Sequence, residues 1–267
     1  MRNPDHRPIT YQEFMNNEAQ QKRYWVRGLV GFEQFSRALP NVTHKSLRAL
    51  EVLFASRSAS CDIVTQNVDR LHFKAGSTNA VELHGNAFTV KCTSCEHAMD
   101  RQQLHLDILN RNAAWLQQVS RAISRALSLD LIFEFQVGLL KTEGIEAQSV
   151  INPDGDADVV VDCSPFHLPS CPFCSSIVKP SVVFFGENVP ETVTKRTTNM
   201  AATADAVLVI GSTLATYSSL RLVRAASAAG KPVVILNDAG TRGDEHATML
   251  LREQCGEVMM QLLHALN

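Results

Sequence analysis

The sequence predicts an α/β fold in which a Rossmann-like, doubly wound parallel sheet is accompanied by a smaller zinc-binding domain. Residues 206–210 and 232–236 are short Val- and Ile-rich runs of the kind found in buried parallel strands, and an Ala-rich helical segment at 220–229 separates them. Strand, helix and strand in this order are typical of a doubly wound sheet, whose ligands bind at the carboxyl ends of the strands. Two Cys-x-x-Cys pairs elsewhere in the chain indicate the metal-bound domain.

Composition limits the classes of function that the chain can have. Its 267 residues are 45% apolar and 19% charged, which is enough material for one large and one small core. The formal charge of −2 is spread over both signs without a basic stripe, so we expect no direct nucleic-acid ligand. The longest apolar stretch, at 127–140, is interrupted by polar residues, so we expect no membrane span. Residues 1–8 resemble neither a secretory signal nor a mitochondrial presequence.

The order of these features predicts the domain boundaries. We expect residues 1–85 and 182–267 to form the cofactor-binding domain, with a helical part at 8–55. Residues 86–181 are expected to form the zinc-binding domain, with an insertion near 116–151 to which the sequence assigns no role.

Local patterns predict further elements. Thr43 is expected to cap a helix at 44–53, and an apolar run at 61–65 predicts a short strand. Alternating apolar residues from 127 to 139 indicate a half-buried strand within the insertion.

Cysteine spacing gives the strongest chemical signal. Cys92 and Cys95 form one Cys-x-x-Cys pair, and Cys171 and Cys174 form another. Each pair can point two thiolates into one tetrahedral site, so together they predict a structural zinc with no open position for water. The alternative is that these cysteines are small buried hydrophobes or a redox pair. Cys163 has no partner at this spacing, and the odd total of seven cysteines also argues against a disulfide framework.

A run of amide and carboxylate side chains follows the predicted strand at 61–65. Gln66, Asn67 and Asp69 stand where a parallel sheet exposes its functional groups, and their donors and acceptors suit a carboxamide and a ribose. The alternative is an Asx-turn that caps a helix.

Two further segments suggest catalysis and substrate binding. His84 lies between Leu83 and Gly85, and imidazole suits a general base that takes a proton from a sugar hydroxyl, although a lone histidine is more often structural. The apolar segment at 179–187 is either plain core or an edge strand that pairs with an extended peptide, with its phenylalanines walling an acyl-lysine channel.

These motifs, in this order, resemble the sirtuins along the whole of residues 1–267. The resemblance is carried by Gln-Asn-Val-Asp at 66–69, Glu-Leu-His-Gly at 82–85, the two cysteine pairs, Val-Phe-Phe-Gly-Glu at 183–187, Gly-Ser-Thr at 211–213, Asn237 and Cys255. Details such as Arg-Tyr-Trp-Val-Arg at 23–27 are most similar to the class II, sirtuin-4-like branch, which is typically mitochondrial.

The resemblance implies an NAD-dependent protein-lysine deacylase that transfers the acyl group to ADP-ribose and releases nicotinamide. NAD and one structural Zn²⁺ are the implied cofactors, and acyl-lysine proteins are the implied partners. His84 would be the general base. The implied cofactor-binding residues are Gln66, Asn67, Asp69, Gly211, Ser212, Thr213, Asn237, Asp238, Ala239 and Cys255, and the implied substrate contacts are Val182, Phe184, Gly186 and Glu187.

Tyr24 and Arg27 match the Tyr-x-x-Arg spacing that reads an acidic acyl group in related class II enzymes. A guanidinium can form a two-pronged ion pair with such a carboxylate. The alternative is a helix with an aromatic core residue and a surface cation.

The sequence departs from the sirtuin pattern near its start. The strand and Gly-Ala-Gly-x-Ser loop that open sirtuins do not occur, and none of the thirteen glycines forms Gly-x-Gly-x-x-Gly. We therefore expect residues 1–267 alone to bind NAD poorly and to fold marginally. Protein mono-ADP-ribosyl transfer and a catalytically impaired zinc-module interaction protein remain the alternative functions.

Overall fold

A computed structural model describes residues 8–119 and 161–266. The chain divides into two compact units: a first unit of Met1–Ala38 with Asn86–Glu187, and a second unit of Leu39–Gly85 with Asn188–Asn267. Residues 1–38 group with the cysteine pairs, because the apolar side chains of this segment pack into the core of the first unit.

Two helices open the first unit. Helix α1 (Tyr11–Asn16) begins with a capping box, in which the Thr10 hydroxyl accepts from the Glu13 N–H and the Glu13 carboxylate accepts from the Thr10 N–H. Helix α2 (Glu18–Arg37) is capped by Asn17 and buries one face, which includes Trp25 and Phe32.

The strands described for the first unit, in residues 8–38, 86–119 and 161–187, form one small sheet. Its order is β4 (Ala98–Asp100), β3 (Gly85–Cys92) and β5 (Val178–Val182), and β3 pairs with β4 in antiparallel fashion. Helix α5 (Arg101–Arg111) follows β4 directly and is capped by the Asp100 carboxylate. The predicted strand at 127–139, and all but the first residues of the predicted insertion, lie outside the described residues.

The second unit contains two parallel sheets. β1 (Ile63–Thr65) pairs with β2 (Ala80–Glu82), and β6 (Val207–Ile210), β7 (Val233–Leu236) and β8 (Met249–Leu251) form a three-stranded sheet in that order. The strands predicted at 61–65, 206–210 and 232–236 are confirmed to within two residues, and so is the predicted α/β class.

Helices of the second unit cover these strands. They are α3 (Val42–Ser56), the short α4 (Leu71–Lys74), α6 (Glu191–Thr203), α7 (Tyr217–Ala228) and α8 (Cys255–Leu266). The predicted cap of α3 was wrong: Asn41, and not Thr43, is the N-cap. The Asn41 backbone is extended and its side-chain oxygen accepts from the His44 N–H at 3.1 Å, whereas Thr43 already lies inside the helix.

Each unit has its own core. Phe14, Trp25, Ile108 and Val178 are among the fully buried side chains of the first unit, and Leu220, Val223 and Ile235 are among those of the second. Within residues 8–119 and 161–266, no helix combines the length and apolar character needed to cross a bilayer.

Candidate metal centre and active site

The four predicted zinc ligands come together in the first unit. Sγ of Cys92 lies 3.4 Å from Sγ of Cys174, and Sγ of Cys95 lies 3.6 Å from Sγ of Cys171. All four sulfurs lie within 4.8 Å of one another. These separations are too long for a disulfide, in which the sulfurs are about 2.05 Å apart. They approach the edge of about 3.8 Å expected for a tetrahedron with sulfur about 2.3 Å from zinc.

Backbone hydrogen bonds shape both cysteine pairs. The N–H groups of Ser94 and Cys95 each donate to Sγ of Cys92 at 3.4 Å, as expected for a turn that wraps around a metal-bound thiolate. The two pairs are tied together because the Thr93 N–H donates to the Ile177 carbonyl at 2.9 Å. The residues present therefore fit a structural Zn²⁺ with a closed Cys₄ shell. Cys163 stays apart, and its thiol points to the Val161 carbonyl.

The candidate catalytic histidine lies where two parallel strands of the second unit end. The Leu83 N–H donates to the Thr65 carbonyl at 2.9 Å, which places the residues after β1 and β2 side by side. His84 therefore lies next to Gln66, to whose backbone its ring is hydrogen-bonded. Its Nε2 lies 2.8 Å from the Ser218 hydroxyl.

Electrostatics keep His84 neutral at physiological pH. Burial lowers the pKa of His84, because desolvation disfavours the imidazolium, and the hydrogen bond to the Gln66 backbone opposes this effect in part. A neutral imidazole held at two sides can accept a proton, which is what a general base requires.

The Gln66 amide joins the two sheets of the second unit. Its Nε2 donates to the Ser212 hydroxyl at 2.7 Å, and its Oε1 accepts from the Thr216 hydroxyl at 3.3 Å. Asp69 uses one carboxylate oxygen to accept from the Leu71 N–H at 2.9 Å. This hydrogen bond forms an Asx-turn, which the sequence analysis gave as the alternative for this run of residues. The turn leads into α4.

A cavity of about 420 Å³ lies within the second unit, between the carboxyl ends of β6 and β7 and the first turns of α3 and α8. Among the predicted cofactor residues, Gly211, Asn237, Asp238 and Cys255 line it. Gly211 has a φ of +59°, a backbone conformation that glycine adopts without strain, and a Cβ there would make only an ordinary van der Waals contact with Sγ of Cys255, at 3.6 Å.

Some lining residues were not predicted from the sequence. They are Asn41, Val42, Thr43, Glu253, Gln254 and Gly256. The Asn cap after Pro40 was an available signal, because a helix N-terminus presents unpaired N–H groups to a ligand.

Two other predicted cofactor residues, Thr213 and Ala239, do not line the cavity, but hydrogen bonds to their carbonyl groups hold them in place. The Thr213 carbonyl accepts from the Arg242 N–H at 3.0 Å, and the Ala239 carbonyl accepts from the Asn237 side chain at 2.7 Å.

The predicted substrate segment is held firmly within the first unit. Glu187 pairs with Lys179 at 3.0 Å and accepts from the Phe184 N–H at 2.8 Å. The Phe185 carbonyl accepts from the Tyr11 N–H at 2.9 Å. Residues 184–187 thus form a turn after β5, with Gly186 at a φ of +78°. Sequence reasoning missed the backbone contact of Tyr11, which is distant in the chain, and the ion pair of Lys179, which lies within the predicted segment at 179–187.

One of the two predicted acyl-reading residues, Tyr24, adjoins this segment. The Tyr24 ring lies 5.2 Å from the Phe184 ring, centroid to centroid, and Val182 packs against the same core. Arg27 is buried, with a relative exposure of 8%. The alternative of a surface cation at this position is therefore wrong.

Comparison with known proteins identifies the family. The Sir2 family model matches residues 3–218. The NAD-dependent protein deacylase SIR4 of Batrachochytrium dendrobatidis is 37% identical, over 98% of this chain and 80% of that protein. Sirt4 of Drosophila melanogaster is 34% identical, over 98% of this chain and 74% of that protein. An NAD-dependent protein deacetylase of Xanthomonas campestris pv. campestris is 38% identical, over 94% of this chain and 75% of that protein.

Solved structures show the same fold. A Sir2 bound to acetylated peptide superposes with a TM-score of 0.66 at 22% identity, over 96% of this chain and 82% of that one. A Sir2–p53 peptide–NAD⁺ complex superposes with a TM-score of 0.65 at 22% identity, over 98% of this chain and 86% of that one. The chain belongs to the Sir2 family, the sirtuins.

Proposed function

We propose that the chain is an NAD-dependent protein-lysine deacylase, which transfers the acyl group from lysine to ADP-ribose and releases nicotinamide. The observation that carries this proposal is the position of His84, held neutral beside Gln66 at the ends of two adjacent parallel strands. The family membership and the relatives' names, which are deacylases and deacetylases, support the same reaction.

The second unit has groups that fit NAD. The cavity lined by Gly211, Asn237 and Cys255 opens at two strand ends and two helix N-termini, where a nucleotide finds N–H donors. Gln66, Asn67, Asp69 and Ser212 would hold the ribose and nicotinamide part. When bound, NAD supplies the sugar carbon that receives the acyl oxygen and the hydroxyl that later receives the acyl group.

The chain's own residues would then orient the reactants and move a proton. His84 would take the proton of the ribose hydroxyl, with its ring oriented by the Gln66 backbone and with Ser218 beside Nε2. Residues 184–187 would hold the peptide, because their turn is fixed by Glu187 and Lys179. Zn²⁺ at the four cysteines would stabilise the first unit without taking part in the reaction.

An assay of acyl loss tests this proposal. The chain is incubated with an acetyl-lysine peptide, with and without NAD, and peptide mass and free nicotinamide are measured. We expect NAD-dependent loss of the acetyl group with equimolar nicotinamide release. Addition of ADP-ribose to protein without acyl loss would instead support mono-ADP-ribosyl transfer, which no name among these relatives favours.

We also propose a mitochondrial matrix location, supported by the similarity to the Sirt4 protein of Drosophila, although bacterial deacetylases match equally well. Imaging of the tagged chain in cells of its own species would test it; a signal outside mitochondria would reject it.

A further inference from the structure

Ser218 contacts the candidate catalytic base, yet the proposed deacylation assigns it no step. Its Oγ lies 2.8 Å from Nε2 of His84, although the two residues are 134 positions apart in the chain. At this distance from an imidazole a serine hydroxyl can act as a nucleophile, because the ring takes its proton as the oxygen attacks. The pair therefore offers a reaction that needs only side chains of this protein.

The second contact of the His84 ring gives it the tautomer that such a base requires. The ring is hydrogen-bonded to the Gln66 backbone, and this bond raises the His84 pKa, as a ring N–H that donates to a carbonyl does. Because Nε2 faces Ser218, the donating N–H is that of Nδ1. In the neutral ring, Nε2 is therefore the nitrogen that accepts a hydrogen bond from the Ser218 hydroxyl.

Neighbouring hydroxyl groups hold the Ser218 side chain in place. Its Oγ lies 3.2 Å from Oγ1 of Thr216, which lies 2.8 Å from Oγ of Ser219 and donates to Oε1 of Gln66 at 3.3 Å. Gln66 thus binds the His84 ring through its backbone and the Thr216 hydroxyl through its side chain. The distance between Ser218 and His84 is fixed by this shared network.

The first turn of α7 supplies hydrogen-bond donors beside the Ser218 oxygen. The Ser219 N–H donates to Oγ1 of Thr216. In residues 8–119 and 161–266, the N–H groups of Tyr217 and Ser218 donate to no other group. Such free donors at a helix N-terminus can stabilise the negative charge that develops on a carbonyl oxygen under attack. Ser218 is half-buried and Tyr217 is exposed, so an acyl group can approach from solvent.

The group that orients the ring indicates the class of substrate. In a Ser–His–Asp triad a carboxylate stabilises the imidazolium, whereas Gln66 offers an uncharged carbonyl. Burial also disfavours the imidazolium. The pair therefore suits esters whose alcohol leaves readily, such as aryl esters, and does not suit amides, whose amine must be protonated as it leaves.

We propose that Ser218 and His84 form a nucleophile–base pair that hydrolyses aryl and similar carboxylic esters without NAD. Oγ of Ser218 attacks the ester carbonyl carbon, and its proton passes to Nε2 of His84. The bond to the alcohol oxygen then breaks, and the alcohol leaves with that proton while the acyl group stays on Ser218. Water attacks the acyl-serine and gives a proton to His84, which returns it to Oγ as the carboxylic acid leaves. This activity shares only His84 with the proposed deacylation.

Hydrolysis of para-nitrophenyl acetate by the full chain, measured without NAD, tests the proposal. The wild type should release nitrophenolate, and mass spectrometry after rapid quenching should find an acetyl group on Ser218. A fluorophosphonate should attach to the same oxygen with loss of fluoride. Ser218→Ala and His84→Gln should each lower kcat/KM for the ester by about 100-fold or more, because each removes one member of the pair.

Ser227→Ala is the matched control, because it removes a hydroxyl from the last turn of the same helix and should keep the wild-type rate. A wild type that carries neither acetyl nor phosphonate on Ser218 would overturn the inference, and so would ester hydrolysis that persists in Ser218→Ala. Ester hydrolysis through Ser218 without NAD-dependent loss of acetyl from lysine would contradict the deacylase proposal alone. Deacetylation by a chain in which Ser218 is never modified would contradict only the inference.

Discussion

His84 illustrates how a single side chain is prepared for its task by its surroundings. Its ring is oriented by the Gln66 backbone, its Nε2 faces the Ser218 hydroxyl, and burial keeps it unprotonated. The identity of the residue follows from the sequence, but its protonation state follows from these contacts.

His84→Gln should lower kcat/KM for acetyl-lysine by about 10²- to 10⁴-fold, because it removes the base while the amide keeps a similar shape. In the wild type, the rate should be flat near pH 7–8 and should fall only in acid, below the ordinary histidine pKa of 6.5, because the folded-state pKa is lowered. The exposed His264 offers a control, and His264→Gln should behave as wild type. An unchanged rate in His84→Gln would exclude the proposed role.

Arg27→Met should depress activity on succinyl- or glutaryl-lysine more than on acetyl-lysine, by about tenfold or more, because a charge-assisted contact to the second carboxylate is lost. Steady-state kinetics with matched peptides would measure this. Arg23→Met changes an exposed arginine of the same helix and serves as the control. Equal losses on all acyl groups would reject Arg27 as the acyl-reading residue.

At the scale of elements, the cysteine pairs show how a short motif fixes local structure. Each motif forms a turn that directs two sulfurs to one side, and hydrogen bonds such as that from Thr93 to Ile177 align the two turns. The first unit depends on this arrangement because Cys92 and Cys171 are also part of its core.

Cys171→Ser should abolish stoichiometric zinc and lower the free energy of unfolding by at least about 3 kcal/mol, because a structural zinc contributes its binding energy to folding. Elemental analysis would report the metal, and thermal unfolding should show a midpoint lower by about 10 °C. Cys163→Ser removes a thiol that lies outside the cluster and should retain one zinc per chain. Full zinc content in Cys171→Ser would contradict the Cys₄ site.

The helices and strands also show which features sequence patterns can predict and which they cannot. The strand at 207–210 was predictable because a short, continuous run of Val, Leu and Ile is typical of a parallel strand. The cap of α3 was not placed correctly, because Asn41 and Thr43 both have capping side chains and only the backbone conformation distinguishes them. The grouping of residues 1–38 with the first unit depended on packing of Trp25 and Phe14, which periodicity does not reveal.

At the scale of the whole molecule, several buried histidines make stability depend on pH. Burial lowers the pKa of His44 and of His72, and burial together with the charge of Arg101 lowers that of His105 to about 4. In the unfolded chain these groups titrate near 6.5. The unfolded state therefore binds more protons below that pH, so the folded state should lose stability as the pH falls from about 6.5.

His105→Phe should reduce this acid sensitivity, because the variant has no group to protonate at a buried position that already adjoins the Phe32 ring. Urea unfolding of wild type and variant at pH 7.5 and pH 5.0 would measure the difference. The exposed His264→Gln should leave the wild-type dependence intact. Identical pH dependence in His105→Phe and wild type would show that His105 is not buried in its neutral form.

The sequence by itself determined the features that depend on neighbouring residues: the cysteine pairs, the apolar strands, and the order of motifs that marks a sirtuin. Tertiary structure decided which distant side chains meet. Gln66 contacts Ser212, 146 positions later, and His84 contacts Ser218, 134 positions later. Arg101 reaches the Gly28 carbonyl, 73 positions earlier. The physical reason is that periodicity and spacing encode local conformation, whereas these contacts arise only when separate elements pack, and packing also sets the burial that tunes His84.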